Sequence, residues 1–310
     1  MATTHRPRAA RLDLRALVAV AVTLITWASA FAGIRVGVRA YAPAHMALLR
    51  FGVASLVLVV YAVLARMPLP RRRDLPGLAL AGALGIAYYN IALGYGQVTI
   101  SAGTASLLIA SAPVWMALLA TMIFRERLRP LGWAGMLLSF AGVAVIALGT
   151  GKGLHIDPRG LVVLTAALAS SFYSLVQKPY LTRYSAAQCT AYAVWAGTLF
   201  LAPFGAGLLA EMGSAPPGAT AAVVYLGIFP GALGYLTWAY TLARVPAATA
   251  GSFLYLIPAL AMFIAWLWLG EIPTVISLLG GVLVLAGVVV VNRWGRAQFA
   301  PRQDDHGQQD

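Results

Sequence analysis

The sequence predicts an all-α integral membrane protein of ten transmembrane helices, arranged as two inverted five-helix repeats around a central cavity, with both termini cytoplasmic. Three observations carry this expectation. Of the 310 residues 61% are apolar and only 10% are charged, which is more hydrophobic surface than one soluble core can bury. The stretch from Ala92 to Gly142 recurs 145 residues later as Thr237 to Gly287, pairing Tyr95 with Tyr240, Thr104 with Thr249, Pro113 with Pro258, Glu126 with Glu271, Gly135 with Gly280 and Gly142 with Gly287. The 22 Lys and Arg gather at the ends of apolar runs on one side.

In chain order, a basic tail (1–13) with Arg6, Arg8 and Arg11 leads to Arg15 and an apolar run of about 20 residues without a small-residue cleavage site, so it reads as a retained first span. Spans follow near 14–34, 44–66, 75–97, 102–124 and 130–150, making a first repeat over 14–150. A periplasmic linker (151–157) precedes the second repeat (158–293), with spans near 158–178, 186–210, 218–243, 247–270 and 274–293. The junctions at Thr99 and Pro246 are set by polar and proline breaks, and the tail (294–310) is cytoplasmic, its polar part from Gln298 dispensable.

A cytoplasmic N-terminus leaves only Arg35, Arg39, Arg50, Lys152 and Arg159 of the 22 Lys and Arg outside, a strong positive-inside bias that places the chain in the inner membrane. Five spans per repeat is an odd number, so the second copy enters upside down: Glu126 ends its helix inside and Glu271 ends its helix outside. Such repeats exchange conformations around a site near the midplane, which argues for transport.

Several positions are candidates for that site. Ala83, Ala87, Asn90, Gly94 and Gln97 form a polar stripe on span three, where the Asn90 carboxamide points into a wet cavity or bonds a neighbouring helix. Tyr88 and Tyr95 lie seven apart on the same helix, with Tyr89 on a different face. Span eight offers Tyr235, Thr237, Trp238 and Tyr240; span four Thr104, Ser111 and Trp115; span six Ser170, Ser174 and Gln177; span nine Ser252 and Tyr255. Aromatic walls with a few hydroxyls and amides suit a ligand with a flat apolar body and a zwitterionic end, unless these rings are lipid-facing belts, the reading preferred for Trp266, Trp268 and Trp294. Pro113 and Pro258 sit mid-span at equivalent places and are candidate hinges or static kinks. Arg50, two turns into span two, either attracts a substrate carboxylate at the outer mouth, snorkels to the headgroups or caps a neighbouring helix.

Small residues at Ser29, Gly33 and Gly37, and the glycines 135, 142, 280 and 287, allow close helix contact, serving either packing within the chain or a homodimer face; monomer and homodimer both stay open.

Other classes fit poorly. The net charge of +13 forms no aromatic-interleaved basic domain, so no nucleic acid is expected. Cys189 is alone, which rules out an internal disulfide and a thiolate metal cluster, and no cofactor or metal is implied. An enzyme would need a nucleophile with a partnered base at membrane depth, yet all nine carboxylates lie at ends, loops or tails. The simplest mechanism is therefore facilitated flux.

Trp27-Ala28-Ser29-Ala30-Phe31 in span one, Leu49-Arg50-Phe51 in span two and the repeat ends Glu126 and Glu271 resemble EamA-type members of the drug/metabolite transporter superfamily, over about residues 14–293. Within that family the chain is most similar to YddG-type exporters of aromatic amino acids. The resemblance implies a basket of ten helices around a substrate cavity, with efflux of amino acids from the cytoplasm; another small metabolite or drug, with ion coupling, is the alternative. Small multidrug exporters, four-span relatives, use a membrane-embedded glutamate in their first helix, and span one here has none.

Overall fold

The computed structural model describes residues 14–124, 129–149, 157–242 and 253–294. The expectations for both tails, for the linker, and for Arg125, Glu126, Arg127, Lys152, Arg244, Pro246, Thr249 and Ser252 fall outside those residues.

The described residues are helical and contain no strand. They form α1 (Leu14–Gly37), α2 (Pro43–Leu64), α3 (Arg72–Gly96), α4 (Ala102–Ile109), α5 (Ala112–Phe124), α6 (Pro130–Gly149), α7 (Pro158–Gln177), α8 (Ala186–Leu201), α9 (Leu208–Ser214), α10 (Pro217–Thr241), α11 (Ile257–Leu269) and α12 (Val275–Trp294). Six runs are long and apolar enough to cross a bilayer: α1, α2, α3, α4 running into α5, α7 and α10. The pair α8 and α9 makes a seventh if it is one span, although it is bent by 81°. That bend replaces the straight span expected over 186–210. Pro203 lies in the 3-10 turn Ala202–Gly205 that ends α8, and Gly207 takes a left-handed φ of 89° that turns the chain into α9. The apolar helices α6, α11 and α12 stand at the other three expected positions.

Helix starts follow local chemistry. Ser185 begins α8 with a capping box, its hydroxyl accepting from the Gln188 amide and the Gln188 side chain accepting from the Ser185 amide. Asp157 accepts from the Arg159 amide at the start of α7, and prolines occupy the first turns of α2, α7 and α10.

The kinks expected at Pro113 and Pro258 are helix breaks. α4 ends at Ile109 and α5 begins at Ala112, so Pro113 falls in a first turn, where its missing amide removes no bond. Pro258 likewise opens α11 after the 3-10 turn Leu254–Leu256. Two longer helices carry π turns at matching places, Ala83–Tyr88 in α3 and Phe229–Leu233 in α10. Each widens the helix by one residue, and Pro230 explains the second by withholding an amide.

α6 and α12 pack face to face through the paired glycines. A Cβ on Gly142 would lie 2.6 Å from the Gly280 carbonyl oxygen, and one on Gly135 would lie 2.9 Å from that of Gly287. Position 135 thus opposes 287 while 142 opposes 280, so the helices run antiparallel and equivalent residues exchange places. The same exchange recurs elsewhere: Gly82 on α3 meets Ala193 and Gly197 of α8, whereas its counterpart Gly227 on α10 meets Arg50 and Val53 of α2. These glycines pack within the chain.

Candidate substrate site

α2 and α3 hold the Arg50 guanidinium inside the bundle, with rings of α3 and α10 around it. Arg50 is only 6% exposed, so it neither snorkels nor lies at an open mouth. Its Nη1 donates to Asn90 Oδ1 at 2.9 Å, and the Asn90 amide nitrogen donates in turn to the Ile86 carbonyl one turn back, inside the π turn of α3. The carboxamide therefore settles between two expectations: it bonds across helices, and it holds a guanidinium in doing so. Arg50 Nε is buried and has no hydrogen-bond partner among the described residues.

Around this pair stand aromatic groups. The phenol oxygens of Tyr89 and Tyr235 lie within electrostatic reach of Arg50, and Tyr173 of α7 lies near Tyr235 and Gln177. Trp27 of α1 packs edge-on against Tyr235 at 5.2 Å between ring centroids, and at 5.7 Å against Trp238. Glycines make room for these rings: the Tyr173 ring occupies the space a Cβ on Gly85 would take, and the Trp27 indole nitrogen lies 2.8 Å from where a Cβ on Gly234 would stand. Gly85→Val is accordingly expected to push Tyr173 out of the cluster and lower substrate affinity by about tenfold, measured by radioligand binding to protein that still elutes as a single peak.

The described carboxylates are engaged away from Arg50. Among the described residues Asp74 pairs with Arg183 at 2.7 Å and accepts from Tyr184, Asp157 accepts from Thr99, and Glu211 accepts from the Ala42 amide and contacts His45. Glu271 pairs with Arg35 at 3.0 Å. No group of His, Cys, Asp and Glu suited to a metal ion occurs among the described residues.

The structure thus gathers Asn90, Tyr235 and Trp238, and Gln177 through Tyr173. The other candidates have contacts of their own. Tyr88 and Tyr95 are each 46% exposed, Tyr88 donating to Thr165 and Tyr95 lying under the Arg159 guanidinium. Ser111 and Ser174 bond their own helices through the Leu108 and Ser170 carbonyls. Trp115 packs edge-on against Phe140 at 4.8 Å, its buried indole nitrogen without a hydrogen-bond partner among the described residues. Tyr240 lies two residues beyond Trp238 on α10. Three members escaped the sequence reading: Trp27, Tyr89 and Tyr173. At about 100° per residue Tyr89 sits next to Asn90 on the helix and Tyr88 about 200° away, a signal that favoured Tyr89. Tyr173 lies one turn before Gln177, on the same face.

Six helical runs long and apolar enough to cross a bilayer, packed around a buried guanidinium, make a multi-pass membrane protein. The chain belongs to the EamA-like transporter family, whose model matches residues 14–148 and 160–293. It is 43% identical over 279 residues to a protein of Streptantibioticus cattleyicolor named probable terminal-alkyne amino-acid exporter, covering 90% of this chain and 94% of that protein. It is 42% identical to the transporter YdfC of Bacillus subtilis, covering 84% and 86% of the two chains, and 30% identical to the inner membrane transporter YedA of Escherichia coli, covering 86% and 87%. A crystal structure 22% identical in sequence shares the fold, with a TM-score of 0.59 over 89% of this chain and 95% of the other. The protein is a transporter of the inner membrane and not an enzyme.

Proposed function

We propose that this protein exports amino acids with flat or apolar side chains, aromatic and large neutral ones first, by alternating access through the cluster around Arg50 and Asn90. One observation carries the reading: rings from α1, α3, α7 and α10 converge on a buried group that can bind a carboxylate. Two repeats, 14–150 and 158–293, would then exchange conformations about this point. The antiparallel contact of α6 with α12 and the matched π turns support an inverted ten-span arrangement, and the positive-inside bias supports cytoplasmic termini. The breaks before Pro113 and Pro258 would serve as hinges. Ser171 of α7 bonds the Ala112 carbonyl at 2.8 Å and ties the first hinge to the helix carrying Tyr173.

The name of the Streptantibioticus cattleyicolor relative favours a second reading within the same class, amino acids with slender unsaturated side chains. Both are tested by flux of labelled tryptophan and phenylalanine from liposomes holding the purified protein, with propargylglycine as competitor and no ion gradient. Saturable flux is expected, with the stronger competitor naming the side chain; absence of flux under any amino-acid gradient overturns both. Among the described residues no carboxylate lies in this cluster to carry a proton, so a pH step without a substrate gradient is expected to drive no flux.

A further inference from the structure

Asn90 occupies Nη1 of Arg50, while Nε, which shares the opposite edge of the guanidinium with Nη2, is buried with no hydrogen-bond partner among the described residues. That edge is the one whose two parallel N–H groups match the oxygens of a carboxylate. It lies on a side chain 94% buried, since Arg50 is 6% exposed, and no described carboxylate faces it. A buried cation without a counter-ion is costly, and an incoming anion relieves that cost.

An amino acid brings an ammonium as well. For this group the cluster provides no anion among the described residues, only phenol oxygens and the faces of Trp27, Tyr235 and Trp238. A zwitterion would therefore neutralise Arg50 and leave its own cation uncompensated, whereas a plain carboxylate neutralises Arg50 and leaves nothing.

Building on the proposed export of amino acids, we infer that the Nε–Nη2 edge of Arg50 is the carboxylate receptor of this site, and that the α-amino group is dispensable. The protein then also carries apolar and aryl carboxylic acids that lack the amine. In the cell such ligands are the acids left when an amino acid loses its nitrogen.

The test measures binding and transport in the wild-type protein before any variant is made. Labelled 3-phenylpropionate is expected to bind with an affinity equal to that of phenylalanine or tighter, to compete for its flux and to be carried itself. Phenethylamine, which keeps the amine and loses the carboxylate, is expected not to compete at a hundredfold excess. Arg50→Gln should weaken 3-phenylpropionate binding by at least about 30-fold, and Arg50→Lys should restore part of it. Competition by phenethylamine, or phenylalanine binding more than about tenfold tighter than 3-phenylpropionate, overturns the inference without reference to the variants. If phenylalanine is not transported but 3-phenylpropionate binds through Arg50, the amino-acid reading fails while the carboxylate receptor stands. If neither ligand binds, both fail.

Discussion

Leucine at position 142 is expected to leave almost no folded protein in detergent extracts, while leucine at position 52 leaves yield and thermal midpoint nearly unchanged. Both glycines lie in apolar helices, yet their surroundings differ. A Cβ on Gly142 would stand 2.6 Å from the Gly280 carbonyl oxygen and 2.6 Å from the Val284 amide nitrogen, whereas one on Gly52 meets nothing within 4 Å. Backbone atoms cannot rotate aside as a side-chain tip can, so α6 and α12 must separate. The buried residues Ile146, Val284 and Val288 then lose contact along the seam. Overpacking a core costs about 1–3 kcal/mol, and a clash with fixed backbone lies at or above the upper end. Gly280→Leu should behave alike, because a Cβ there meets the Gly142 carbonyl at 2.7 Å. Fluorescence-detected gel filtration of the three variants checks the claim, and a monodisperse Gly142→Leu peak at wild-type yield refutes the seam.

The all-helical fold was legible because it is written in composition and in a repeat of 145 residues, signals averaged over many positions. The glycines at 135, 142, 280 and 287 were legible as close contacts for the same reason: a missing side chain at matched places implies a neighbouring backbone. The site was harder to read, since it depends on which way single residues point. Arg50 had three open fates in the sequence, and only the position of Asn90 on the adjoining helix decides among them. Tyr89 and Tyr88 are one residue apart, yet Tyr89 lies within reach of Arg50 while Tyr88 is half-exposed and bonds Thr165. The bend after α8 was hidden because Pro203 and Gly207 act together, whereas prolines such as Pro43, Pro158 and Pro217 merely open a first turn.

Removing the Glu271 carboxylate is expected to open the bundle at the end where α1 finishes. Glu271 follows α11 and binds two partners: Oε1 accepts from Arg35 Nε at 3.0 Å, and Oε2 from the Ala102 amide at the start of α4 at 2.9 Å. Arg35, in the last turn of α1, also donates to the Gln97 and Val98 carbonyls after α3. One ion pair thus ties together α1, α3, α4 and α11, which on the proposed orientation closes the outer side. Both side chains are less than a fifth exposed, so the pair lies between the surface and buried limits and its loss costs about 2 kcal/mol. That corresponds to a shift of about 30-fold toward a state open at this end. A cysteine replacing Ser29, in protein whose lone native thiol Cys189 is changed to serine, reports the opening through its alkylation by an impermeant maleimide added outside. Glu271→Gln should accelerate that alkylation by about 10- to 30-fold. Arg35→Met should do more, because it also releases the two carbonyls, and the double variant should add little to Arg35→Met because the two residues act through one contact. Equal rates in wild type and Glu271→Gln would mean that the ion pair holds the helices together without governing access to the site.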